Sequence, residues 1–256
     1  MDPGCCLLAV NESSGSIAAS CFYHPRETHV SIGIMNVHPN YFGHGAGKLL
    51  MNEIIRVADE QGKPLRLVSS AMNLDSFTLY NRCGFVPRQV FQDMYIEIPE
   101  GGLNVEPPSL ASRVRSASPD DVNAIADLEK ELVGIRRPDD YAYFIENQDG
   151  WWSGSVIEDT KGNLDGFLFS VANSASNIIG PGVARTEEDT AALLHAQLQE
   201  HAGRSPVFLV PSDCCDLIGA LYSWGARNCE IHFSQTRGEW SPPTGVILPT
   251  FMPETG

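Results

Sequence analysis

The apolar positions of the chain fall into two rhythms that alternate along its length. Residues 6–10 and 16–22 read as two short strands about a turn at Asn11-Glu12-Ser13-Ser14-Gly15. Residues 30–37 form a third apolar run. Leu49, Leu50, Ile54, Ile55 and Ala58 then recur at helical spacing, and Gly62-Lys63-Pro64 stops that helix near Gln61. A strand over 65–70, a short helix over 76–83 ended by Gly84, and a strand over 90–98 follow. Residues 99–108 are dense in Pro and Gly and read as a linker.

Beyond residue 108 the pattern starts over. Residues 113–117 read as a strand, and Ser118-Pro119-Asp120-Asp121 as a helix start. Val122, Ile125, Leu128 and Leu132 supply that helix's apolar face, and a second helix is expected over 139–147. A hairpin over 152–158 and 164–172, helices over 187–202 and 216–224, and strands over 207–210 and 229–235 complete the set. The order matches the first half. Pro39 and Pro181, Leu79 and Leu221, and Tyr80 and Tyr222 are each 142 apart. The expectation is two tandem repeats: a first domain over 1–99, a linker over 100–112, a second domain over 113–240 and an extended tail over 241–256. Set against the second, the first repeat lacks the opening strand and two helices that residues 113–147 supply, as though truncated at its N-terminus.

The chemistry is concentrated where the third strand runs into the first helix, at Val37-His38-Pro39-Asn40-Tyr41-Phe42-Gly43-His44-Gly45-Ala46-Gly47-Lys48. Helix N-termini leave about four N–H groups unpaired and carry partial positive charge. Glycines let phosphates approach that backbone. Spacing narrows the type. A Walker A loop needs Ser or Thr after Gly-Lys, where Leu49 stands, and a dinucleotide fingerprint needs Gly-x-Gly-x-x-Gly, where this chain has Gly43-x-Gly45-x-Gly47. The stretch instead resembles motif A of the GNAT family of acyl-CoA-dependent N-acyltransferases, with Phe42 where the family has Gln or Arg. Asn73-Leu74-Asp75-Ser76-Phe77-Thr78-Leu79-Tyr80-Asn81-Arg82-Cys83-Gly84-Phe85 is similar to the family's motif B.

The resemblance implies an α/β (α+β) fold, a mixed, mostly antiparallel sheet with flanking helices: the acyl-CoA N-acyltransferase fold, twice in tandem. It implies an N-acyltransferase that uses acetyl-CoA or another acyl-CoA as co-substrate, without metal. A small-molecule amine or a peptide is the acceptor, attacking the thioester directly. The residues it marks for the coenzyme are Met35, Asn36 and Val37 on the strand edge, Phe42, Gly43, His44, Gly45, Ala46, Gly47 and Lys48 in the loop, and Asn73. Tyr80 matches the family's general acid, since a phenol of pKa about 10 can protonate a thiolate. The base is less well marked. An amine of pKa about 10.4 is neutral at pH 7 only at a cost of about 4.6 kcal/mol. Family members often place a Glu on the strand before the loop, but the corresponding face here carries His29, Ser31, Gly33 and Met35. His29 is the titratable choice, alone or through water, with attack by an already neutral amine as the alternative. A non-catalytic coenzyme-binding sensor or scaffold is the competing reading.

In the second repeat the equivalent stretch is expected at Gly180 to Asp189. Three acids at its helix start would repel a diphosphate, so that repeat is not expected to bind the coenzyme, and Tyr222 is expected to be a packed core residue.

Composition adds bounds. The 256 residues are 43% hydrophobic and 19% charged, an ordinary globular balance. Thirty-two acidic against 17 basic residues give a formal net charge of −15, which disfavours nucleic acid and anionic lipid as partners. Seven Cys, two adjacent pairs among them, form no metal-spaced set and suggest reduced thiols in a cytoplasmic protein. No run is long enough to span a membrane. The oligomeric state is left open.

Overall fold

The computed structural model describes residues 2–173 and 175–250. The chain is a mixed α/β protein with a mostly antiparallel sheet and, among the described residues, six α-helices. Contacts divide it into two units, and the division is not a single cut. Residues 2–89 and 233–240 form one unit, and 90–232 with 241–250 form the other. Two strands, β5 (Val86–Tyr95) and β11 (Arg227–Arg237), each contribute one end to each unit.

In the first unit β1 (Cys6–Val10), β2 (Ile17–Pro25) and β3 (Val30–Val37) form an antiparallel meander. Helix α1 (Ala46–Glu60) crosses back so that β4 (Leu65–Ser70) lies parallel to β3. Helix α2 (Leu74–Arg82) follows. Leu50, Met51, Ile54 and Ala58 of α1 pack on Ala19, Cys21, Val30, Ile32 and Leu65, which closes the core on one side of the sheet. The other side is exposed among the described residues. Leu8, Val10, Phe22 and Ile34, which alternate with the core positions, stay more than two-fifths accessible.

The second unit adds β6 (Val114–Ser116), helices α3 (Val122–Val133) and α4 (Pro138–Glu146), β7 (Trp152–Glu158), β8 (Leu164–Ala172) and β9 (Asn177–Ala184). Helix α5 (Glu187–Gln199), β10 (Val207–Pro211), α6 (Cys215–Ser223) and β12 (Val246–Leu248) complete it. Its sheet is covered on both faces. Helices α3 and α4 bury Ile125, Leu132, Tyr141 and Phe144 against Val156, Phe167, Phe169 and Val183. Helices α5 and α6 bury Leu194, Leu198, Leu217 and Leu221 on the opposite side. Glu129 of α3 and Arg137, the N-cap of α4, form a buried ion pair at 2.8 Å, joined by the Tyr141 hydroxyl.

Three sequence expectations change here. The segment expected to be a linker is docked, with Leu103 buried and its backbone N–H and C=O both bonded to the Gln199 amide. The stretch Gly180 to Asp189, expected to be the counterpart of the first repeat's loop, begins inside strand β9. The tail contains a strand, β12, antiparallel to β9, while its last residues, 251–256, lie outside the described residues. All seven cysteines are free thiols. No helix among the described residues is long and apolar enough to cross a membrane.

Candidate functional site

Residues 38–45 carry the chain from β3 to α1 in the first unit. His38 caps a short 3-10 turn at Pro39–Tyr41, its ring Nδ1 accepting the Asn40 N–H, and the Tyr41 hydroxyl bonds Ser16 at 2.8 Å. Gly43 and Gly45 then take positive φ, +77° and +87°, a backbone that glycine adopts without a Cβ penalty. As the N-cap of α1, Gly45 offers no side-chain oxygen, and no acid stands in the first turn. The first intrahelical bond runs from the Leu49 N–H to the Gly45 carbonyl. Among the described residues, the backbone N–H groups of Gly43, Gly45, Ala46, Gly47 and Lys48 have no protein acceptor. A 15-residue helix thus begins with its donors and its positive dipole end uncompensated.

These amides border a cavity of about 780 Å³, within the range typical of small-molecule sites. Its floor is close-packed: a Cβ on Gly47 would lie 3.4 Å from both Val37 and Leu79. Its far wall is one face of α2, where Asp75, Thr78, Leu79 and Arg82 recur at helical spacing. Lys48 and Arg82 line it against a single acid, Asp75, so the site is locally cationic in a chain of net charge −15. The parallel ladder between β3 and β4 runs through Val30–Leu65 and Ser31–Arg66 and does not continue to the strands' C-terminal ends. The later edge of β3, ending in Met35, Asn36 and Val37 on the cavity, is therefore open to another extended chain.

Of the residues expected to hold the coenzyme, Met35, Asn36, Val37, Phe42, Gly43, Gly45, Ala46, Gly47, Lys48 and Asn73 line this cavity. His44 is exposed on the loop and is not part of the lining. Asn73 has a structural duty as well: its Oδ1 caps α2 by accepting the Ser76 N–H at 3.0 Å, which leaves its NH2 to donate elsewhere.

The two expected catalytic side chains sit elsewhere. Tyr80 is only 9% exposed and packs on Phe85 in the unit's core. One residue beyond Leu79, it is turned about 100° around α2, from the cavity towards the sheet. Burial, together with Cys21 nearby, pushes its phenol up to about 12, opposed by a hydrogen bond with Ser76. Ser76 does line the cavity and is Tyr80's link to it. His29 gives the larger correction. It precedes β3, at the end opposite the loop, is wholly buried, and bonds Thr28 and Ser31 through its two ring nitrogens. That placement gives it no access to a thioester.

Tyr41, Asp75, Ser76, Thr78, Leu79, Arg82 and Cys83 also line the cavity, and the sequence reading missed them. The periodic set 75, 78, 79 and 82 is the signal that identifies them, once α2 is known to present a face to the loop. Burial pushes the Cys83 thiol up, partly opposed by Lys48 and Arg237.

At the equivalent place the second unit is built differently. Its strand-to-helix crossing is two residues, Arg185 and Thr186. Thr186 caps α5, and the three acids there are engaged: Glu187 accepts the Leu217 N–H, Glu188 bonds Ser109, and Asp189 bonds Thr186. Tyr222, expected in the core, is 47% exposed and bonds Gln92 and Asn228.

Comparison with known proteins bears on both units. The "Acetyltransferase (GNAT) family" model matches residues 1–85, and an "Acetyltransferase (GNAT) domain" model matches residues 125–230. A search of the curated proteins finds no match. Among solved structures, a candidate acetyltransferase from Pyrococcus horikoshii superposes with a TM-score of 0.71 at 18% identity, covering 99% of this chain and 81% of its own. A GCN5-related N-acetyltransferase from Sphaerobacter thermophilus gives 0.61 at 16% identity, covering 94% and 83%. A tandem GNAT protein from the clavulanic acid biosynthesis pathway gives 0.56 at 14% identity, covering 94% and 86%. At these identities the likeness is one of fold.

Proposed function

The chain belongs to the GNAT acetyltransferase family and carries two of its domains in tandem; from that premise we propose that its first repeat binds an acyl-CoA and passes the acyl group to an amine. The observation that carries the reading is the set of acceptor-free amides of Gly43, Gly45, Ala46, Gly47 and Lys48 at the uncapped start of α1, on a cavity with two cations. Such a set suits a diphosphate, each N–H donating to an anionic oxygen at charge-assisted strength. The open edge of β3 suits the amides of the pantetheine arm, which would lie along it as an added strand towards the wedge between β3 and β4.

In this reading the amine nitrogen attacks the thioester carbonyl carbon. The carbonyl π pair moves to oxygen, then returns as the C–S bond breaks, and the sulfur leaves as thiolate. The nitrogen's surplus proton goes to water. No lining residue is a buried carboxylate, and Asp75 is exposed, so the amine arrives neutral and the rate rises with pH. Tyr80 is the proposed proton source for the thiolate, through Ser76. Its phenol, at about 12, lies some 3.5 units above a thiol of about 8.5, so complete transfer is uphill by about 5 kcal/mol. That is affordable beside a barrier of roughly 16 kcal/mol for a turnover of about 10 s⁻¹, but it makes Tyr80 an assisting group rather than the main source of rate.

The burial of Tyr80 favours one alternative: a repeat that holds the coenzyme without turning it over. Release of free thiol from acetyl-CoA across a broad amine panel separates the two. Amine-dependent, saturable release supports transfer. Calorimetric binding of acetyl-CoA with no release for any amine supports the non-catalytic reading. Absence of binding rejects both.

A further inference from the structure

We propose that the second unit contains a divalent transition-metal site of the zinc type, built by Asp93 of β5 with Glu230 and His232 of β11. One ligand atom from each of the three side chains lies within 4.8 Å of the other two. Glu230 and His232, two apart on one strand, share a face, and β5 is the neighbouring strand. The Asp93 Oδ2 to His232 Nδ1 distance is 3.4 Å. Two ligands bound at about 2.0–2.1 Å around a tetrahedral ion are separated by roughly 3.3–3.4 Å, so this edge is already at coordination spacing.

The chemistry of the donors agrees with the spacing. Asp93 and His232 are 5% and 6% exposed, and Glu230 is half-buried. Asp93 and Glu230 bring two carboxylates to one imidazole within this spacing, and like charges this close disfavour each other. A doubly charged cation neutralises both. A nitrogen donor beside two oxygens favours zinc and its first-row neighbours over magnesium or calcium. Three protein ligands leave a fourth position for water or a partner group.

An outer contact supports the arrangement. The Cys229 thiol donates to Asp93 Oδ1 at 3.3 Å and lies at the same distance from the Asp93 carbonyl. It thereby fixes the carboxylate with Oδ2 towards His232, the kind of support that orients metal ligands. The sequence does not disclose the site because Asp93 and the 230–232 pair lie far apart in the chain and meet only through strand pairing.

The test uses the full chain, stripped with chelator and kept reduced. Zinc chloride is titrated by calorimetry, with cobalt chloride for the visible spectrum and magnesium chloride for contrast. The expected result is saturable zinc uptake in which Glu230→Gln loses one equivalent, or binds it more weakly than the roughly 10- to 100-fold that losing an outer partner costs. A tetrahedral cobalt band should disappear in the same variant. Cys229→Ala should weaken binding within that 10- to 100-fold range. Magnesium should have no effect. Zinc uptake and a cobalt spectrum unchanged in Glu230→Gln would overturn the proposal, as would a folded wild-type chain that takes up no zinc. His232→Asn is a second check; if it fails to fold, Glu230→Gln decides alone.

Discussion

Eight residues join β3 to α1, whereas two join β9 to α5, and most of what separates the two repeats follows from that difference. The long crossing contains two left-handed glycines and delivers α1 with its amides open. The short crossing ends in a threonine cap followed by three acids in the first turn, so α5 starts with its dipole compensated. The following helices differ in phase as well. Leu79 borders the cavity while Tyr80 is buried, whereas Leu221 is buried and Tyr222 exposed. Filled by its own side chains, the second repeat is a packed body. The first keeps a cavity at its strand-to-helix crossing and, among the described residues, exposes Leu8, Val10, Phe22 and Ile34.

The largest expected effect breaks the comparison at the crossing. Gly45→Asp keeps a residue type that tolerates the left-handed region but places a carboxylate among the amides. At an effective dielectric near 20, a like charge a few Å from a phosphate costs about 4 kcal/mol, about a thousandfold in the Kd for acetyl-CoA by calorimetry. Neutralising Glu187 and Glu188 to Gln should create no binding in the second repeat, because charge is not its only obstacle.

Next comes the covered face of the second repeat. Glu129→Gln removes the carboxylate from the buried ion pair with Arg137 and should cost about 3–5 kcal/mol in urea unfolding. Coenzyme binding in the first repeat should survive under native conditions.

The third prediction concerns acid. His201 is buried, and desolvation with Arg204 nearby lowers its imidazole to about 4. The group is neutral when folded and titrates near 6.5 when unfolded. Its contribution is present in full above pH 6.5 and is lost as pH falls towards 4, about 3 kcal/mol in all. Urea midpoints measured between pH 7 and 4 should fall accordingly, and His201→Gln should flatten that part of the slope.

The smallest effect is at Tyr80. Tyr80→Phe should lower kcat about a hundredfold, at the low end for general acid catalysis, and leave the acetyl-CoA Kd unchanged. With the phenol at about 12, the group stays protonated through pH 10. The pH–rate profile should therefore show no falling limb between pH 8 and 10.5, where an ordinary tyrosine would produce one.

The parts of the fold legible in the sequence were those with strong local periodicity. Helix α1 with its Leu50, Ile54 and Ala58 stripe, and the glycine loop before it, lie where the pattern places them. Strand β9 is hard to read because Gly180-Pro181-Gly182 interrupts its apolar run. Those glycines answer to packing: a Cβ on Gly182 would lie 2.5 Å from Leu168, and one on Gly180 would lie 2.6 Å from Thr250. The missed strand also misplaced the repeat register. Val30 and Asn177, like Val37 and Ala184, are 147 apart, whereas Ala46 and Glu187, Leu74 and Cys215, and Gly84 and Gly225 are 141 apart. The offset of 142 suggested by matching Leu-Tyr pairs is one residue out of phase, so Tyr80 corresponds to buried Leu221 and not to Tyr222. His29 was misjudged because strand alternation gives a face but not a distance along the strand. The α2 side of the cavity required knowing which face the helix presents, which no local pattern contains.

The most direct test of the central claim is a titration of the ¹⁵N-labelled chain with CoA, followed through the backbone amide resonances of its glycines. The account predicts saturable shifts at Gly43, Gly45 and Gly47 together with Lys48, while Gly180 and Gly182 stay fixed. Saturable binding that leaves the 43–48 amides unmoved, or moves those of the second repeat instead, would contradict it.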